Sequence, residues 1–93
     1  MKHIYKITYP NGKIYVGKDL TGSLSYFGSV HEASLRADFT VEEMRDFTIR
    51  KTVLWESPDA DNAEVNRREV QMIRDMHAND PKVGYNRWPK FRP

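Results

Sequence analysis

Apolar and polar positions alternate along the first part of the chain and recur at helical spacing along its last third. From Met1 to Tyr9 the strand formers Ile4, Tyr5, Ile7 and Tyr9 predict a β-strand, and Lys13 to Gly17 predicts a second. Pro10-Asn11-Gly12 between them predicts a tight turn: proline presets its φ, asparagine suits the second turn position, and glycine accepts a positive φ. Lys18 to Ser29 reads as a loop of small and polar residues, and Val30 to Asp38 as a short helix. The pattern Thr40-x-x-Glu43 is a capping box that opens a further helix through about Arg45. Phe47 to Glu56, rich in β-branched and aromatic residues, predicts a third strand. Ser57 to Asn62 is a turn, Ala63 to His77 the strongest helix, and Asn79 to Val83 a loop before a short tail from Gly84.

The turn decides which side chains share a face. A two-residue Asn-Gly loop would pair Tyr9 with Ile14 and put Tyr5 and Tyr15 on opposite faces. A three-residue loop with a left-handed glycine pairs Tyr9 with Lys13, Ile7 with Tyr15 and Tyr5 with Gly17. The second is expected, because in the first Pro10 would be a strand residue without a donor. Tyr5 and Tyr15 then become diagonal neighbours, ~7–8 Å apart on one face.

The last helix carries one polar intruder. Val65, Met72, Ile73 and Met76 form an apolar stripe, and Glu69 falls within it, four residues from both Val65 and Ile73. A carboxylate facing the core needs a partner. An arginine (Arg50 is the nearest suggestion), a tyrosine hydroxyl or a divalent cation would each serve. Tyr5 and Tyr15 have an equally plain reading as packed rings with wet hydroxyls.

Length and composition bound these readings. Ninety-three residues build one domain, residues 1–93, with one modest core. A hydrophobic fraction of 39% beside a charged fraction of 30% fits a folded globule and not a disordered chain. With no cysteine, disulfides and thiolate metal sites are excluded; the three scattered histidines argue against structural zinc. No apolar stretch approaches the ~20 residues of a membrane span, and the strand pattern starts at once, so no signal peptide and a cytoplasmic location are expected. A net charge of +2 says little about partners.

Taken together, His3-Ile4-Tyr5, Tyr15-Val16-Gly17, Arg68-Glu69 with Met72-Ile73, and Gly84-Tyr85-Asn86 resemble the GIY-YIG nuclease family over nearly the whole chain. The resemblance implies a small mixed α/β (α+β) domain, a three-stranded antiparallel sheet flanked by helices in β-β-α-β-α order. It implies endonucleolytic hydrolysis of DNA phosphodiesters with one divalent metal, Mg²⁺ or Mn²⁺. Tyr5 and Tyr15 become the active-site tyrosines, Glu69 the metal ligand and Asn86 a supporting residue. His3 stands where the family has its first glycine, and Val16 replaces isoleucine. The family's arginine has no counterpart soon after Gly17; Arg36, then His31, then Arg50 are the candidates for its place.

On this reading Tyr15 is the favoured general base, which requires cations nearby to lower its pKa from about 10. Lys6, Lys13 and Lys18 flank the hairpin. Lys13, Lys18, Arg50, Arg87, Trp88 and Lys90 are the expected DNA contacts. In the 86–93 tail, cations alternate with Trp88 and Phe91, which either grips a strand and stacks on a base or docks its rings on the domain. A partner protein or a homodimer is the expected source of cleavage specificity. The alternative function is a non-catalytic nucleic-acid-binding module on the same fold; a protein-interaction domain with a structural Glu69 ion pair is a third.

Overall fold

The structure is a computed structural model that describes every residue except Ser29 and His31. His31, one of the candidates for the missing arginine, therefore lies outside the described residues. The chain forms β1 (Lys2–Thr8), β2 (Ile14–Asp19), α1 (Glu32–Asp38), α2 (Val41–Arg45), β3 (Arg50–Ser57) and α3 (Asn62–Asp75). The three strands make an antiparallel sheet in the order β2-β1-β3, a mixed α+β architecture. Among the described residues no helix is long and apolar enough to cross a membrane.

The hairpin takes the three-residue loop. Tyr5 pairs with Gly17 and Ile7 with Tyr15. The Tyr9 N–H donates to the Lys13 carbonyl (2.9 Å), and Gly12 sits at φ 86°, a conformation open to glycine at no steric cost. The Asn11 side chain also closes the turn by accepting from the Lys13 N–H at 3.0 Å.

Side-chain alternation then sorts the core into two layers. Ile4 and Val16 face α3, where they pack against Val65, Ile73, Ala60 and Ala78. Ile4, Val16 and Val65 are fully buried, each contributing roughly 1.5–3 kcal/mol of hydrophobic stabilisation. Tyr5, Ile7 and Tyr9 face the other way, against Phe39 and Tyr85, with Leu35 of α1 and Met44 of α2 at the margin. Phe47 and Ile49 join this second layer ahead of β3, which starts at Arg50 and not at Phe47. Two short helices precede β3, and α2 carries the expected capping box.

The capping of α3 explains its bounds. The Asp61 carboxylate accepts from the Glu64 N–H at 2.8 Å, while the Glu64 side chain turns to Arg68. At the other end His77 adopts φ 57° and the Ala78 N–H returns to the Ile73 carbonyl (2.9 Å), closing the helix without a glycine. That turn sends the tail back along the outer edge of β2. There the Ile14 N–H donates to Val83 O (3.1 Å) and the Tyr85 N–H to Ile14 O (2.8 Å). Gly84 permits this approach: a β-carbon there would run into the carbonyl oxygens of Ala78 and Ile14. The exposed backbone of an edge strand is thereby covered.

Candidate active site

Where the tail leaves β2, a groove of about 340 Å³ crosses the strand's outer edge. Tyr15, Val16, Glu69, Ile73, Tyr85, Asn86, Arg87 and Trp88 line it. Tyr15 and Val16 project to opposite faces of the sheet, so the groove spans the edge and brings the tyrosine layer to the helix that carries Glu69.

Glu69 sits in the apolar stripe of α3 as its spacing predicts, with 19% of its side chain exposed. Burial raises its carboxyl pKa, and the Lys18 ammonium opposes that rise from 3.6 Å. That separation exceeds a charge-assisted hydrogen bond, and the same ammonium donates to the Asn66 side chain. Lys18, and not Arg50, is thus the cation beside Glu69. Arg50 opens β3, paired with Thr8 on the far side of β1 from β2.

Asn86 is fully committed to holding the groove's floor. Its Oδ1 accepts from the Val16 N–H (2.8 Å) and its Nδ2 donates to the Val16 carbonyl (2.7 Å). The carboxamide therefore acts as an added peptide group on the strand edge, positioning Tyr15 and the following Arg87. Tyr85 is buried beside it, and its hydroxyl donates to Asp38 (2.6 Å) while accepting from Asn11 (2.9 Å). Lys13 completes this network with an ion pair to Asp38 at 2.9 Å. Burial, reinforced by the Asp38 hydrogen bond, pushes the Tyr85 phenol up to about 12.

Tyr5 and Tyr15 share one face, but only Tyr15 lines the groove. Tyr5 is 1% exposed. Its ring packs against both Gly17 and Gly28; its hydroxyl lies 2.5 Å from where a β-carbon of either glycine would stand. The Tyr26 ring meets it edge-on with centroids 6.2 Å apart. An unexpected residue fastens this roof: Lys51 of β3 donates to the carbonyls of Ser23, Leu24 (3.0 Å) and Tyr26, with its ammonium 4.6 Å from the Tyr5 ring centroid. The expectation that Tyr5, Tyr15 and Glu69 line one open cleft is corrected accordingly: Tyr15 and Glu69 do, and Tyr5 lies beneath the loop. Lys51 was missed because its partners are backbone carbonyls, which leave no trace in side-chain patterns.

The phenols are also not poised as bases. Burial raises the pKa of Tyr15, and the Glu69 charge raises it further. Burial likewise carries Tyr5 well above the ordinary range, with the charges of Tyr15, Tyr26, Glu69 and Asp19 adding to it. Of the lysines expected to lower these values, Lys13 is engaged with Asp38, and Lys18 with Glu69 and Asn66. At neutral pH Tyr15 presents a protonated hydroxyl.

Arg36 is not brought to the groove; on exposed α1 its guanidinium pairs with Glu32 at 3.0 Å. The arginine that does line the groove is Arg87, from the tail, with Trp88 beside it. Lys90 lines an adjoining cavity and not the groove itself. No family model matches this chain, and no curated protein or solved structure matches it.

Proposed function

We propose that this chain is a metal-dependent endonuclease that hydrolyses DNA phosphodiester bonds at the Tyr15–Glu69 groove, in the manner of the GIY-YIG family it resembles. The observation that carries the reading is Glu69: a mostly buried carboxylate, raised in pKa by burial, facing a groove it shares with a tyrosine and an arginine. Such a group is costly to the fold unless a cation meets it. Lys18 at 3.6 Å meets it only in part.

A divalent cation fits this carboxylate. Among the described residues no cluster of three or more acidic, histidine or cysteine side chains gathers. A single carboxylate suffices for magnesium, which commonly keeps several waters and takes further oxygens from substrate phosphates. Glu69 would hold the ion, which when bound supplies Lewis-acid stabilisation of the charge that builds on phosphate.

This chain's own residues supply the rest. Arg87 stands where it pairs with a phosphate oxygen and offsets developing charge. The Tyr15 hydroxyl, whose pKa is raised by burial and by the Glu69 charge while Glu69 is metal-free, donates a hydrogen bond to phosphate or orients the attacking water. Asn86 positions the strand that carries Tyr15. Tyr5 supports Tyr15 from below the loop.

A second reading, a nucleic-acid-binding module without catalysis, is favoured by one observation: the seclusion of Tyr5 beneath the Lys51-tied loop. Supercoiled plasmid distinguishes them. The nuclease reading expects Mg²⁺- or Mn²⁺-dependent nicking that EDTA stops. DNA binding with no cleavage of plasmid or of single-stranded DNA in either metal would move the assignment to the second reading.

A further inference from the structure

The groove of Tyr15 and Glu69 is one of three concavities strung along the tail. A second, of about 420 Å³, lies across the Tyr85-Asn86-Arg87 segment, shares those three residues with the groove and adds Lys13, Lys90 and Phe91. A third shares Lys90 and Phe91 with the second and adds Arg74 and Arg92. Each shares residues with the next, and cations recur along the row.

The size and shape of these sites constrain what they take. Their volumes fall within the roughly 300–1,000 Å³ of sites that enclose small molecules. Duplex DNA is read by a convex element, a helix or ribbon inserted into a groove about 12 Å wide. A concave site of this size fits a base withdrawn from its stack. Trp88 adds the complementary surface. It is 73% exposed and lines the groove together with Arg87 and Glu69. A single exposed aromatic is ordinary; one flanked by a cation on the wall of a concave site is a stacking platform.

We propose that these concavities hold consecutive nucleotides of an unpaired DNA strand, with Trp88 stacking one base and Arg87 and Lys90 meeting the backbone phosphates. The proposal rests on the nuclease reading only for which phosphate is cut. Strand binding itself needs no metal and no hydrolysis.

The test is therefore run in EDTA, where cleavage is silent. A fluorescein-labelled oligothymidylate and a hairpin duplex of equal nucleotide count are titrated with the full chain by anisotropy. The single strand is expected to bind at least tenfold more tightly. Trp88→Ala is expected to weaken single-strand binding roughly tenfold, the loss of one base stack, and to leave duplex binding unchanged. Trp88→Phe restores most of it. Lys90→Gln is expected to reduce the slope of log affinity against log salt by about one unit. Because Trp88 is exposed, its replacement spares the fold, which a thermal melt verifies. Equal affinity for both forms, no binding of either, or a Trp88→Ala variant with undiminished single-strand affinity would overturn the proposal. Failure of the nuclease reading is seen separately, as binding without nicking.

Discussion

Gly17 and Tyr5 face each other across the hairpin, and the tyrosine ring occupies the space a side chain at Gly17 would need. The hydroxyl, Cζ and Cε2 atoms of Tyr5 all lie within 2.9 Å of that position. The glycine that ends Tyr15-Val16-Gly17 is therefore explained by packing, independently of any family pattern. It lets one tyrosine lie flat over the strand that carries the other.

Gly17→Ala should destabilise the fold by about 1–3 kcal/mol, the range for overfilled cores. The Tyr5 ring is also packed against Gly28. Urea unfolding measures the loss. Unchanged stability would mean that the ring moves freely aside.

Asn86→Asp replaces the Nδ2 donor with an acceptor facing the Val16 carbonyl, setting two oxygens against each other. The expected cost is about 1–3 kcal/mol. Hydrogen exchange gives a local readout: protection of the Val16 amide, bonded to Asn86 Oδ1, should fall more than that of β1 amides.

Acid should weaken the Lys13–Asp38–Tyr85 network. The Lys13 hydrogen bond, followed by that from Tyr85, holds the Asp38 carboxyl below its usual value. A carboxyl depressed on folding contributes stability above its unfolded pKa, near 3.9, and loses it as pH falls through the folded value. Melts of the wild type below about pH 4 should therefore drop more steeply than those of Asp38→Asn, which lacks this titration.

Tyr15→Phe removes a hydroxyl from the groove while keeping the ring. As a phosphate or water donor, that hydroxyl should matter to cleavage by roughly 100-fold. Since burial raises the pKa of the phenol, the pH profile of the wild-type rate should show no tyrosine ionisation near neutrality. A rate limb near pH 7 that disappears in Tyr15→Phe would return the base role to Tyr15.

Much of this arrangement was legible in the residues. Pro10 and Gly12 determined the hairpin register, because only the three-residue loop spares proline a ladder position. The interruption of the Val65–Ile73 stripe by Glu69 marked a carboxylate turned inward. Less visible was everything that depends on backbone partners or on chain reversal. The Lys51 hold on the loop carbonyls hid Tyr5, and the left-handed turn at His77, without the glycine that usually marks one, returned the tail to β2. The arginine was sought after Gly17 by sequence order, whereas the groove draws its arginine from the returning tail.

On the proposed function, the Glu69 carboxylate is kept for a metal and a phosphodiester at the expense of stability. Its pKa is raised by burial, so its stabilising protonated form is present below the unfolded value and lost as pH rises through the folded one. Glu69→Gln should therefore melt higher than the wild type at pH 7 in EDTA, and no higher below about pH 4. The decisive measurement is plasmid nicking in Mg²⁺ or Mn²⁺ by wild type and Glu69→Gln side by side. Nicking by the wild type and none by the more stable variant is expected. Equal nicking by both proteins would contradict it.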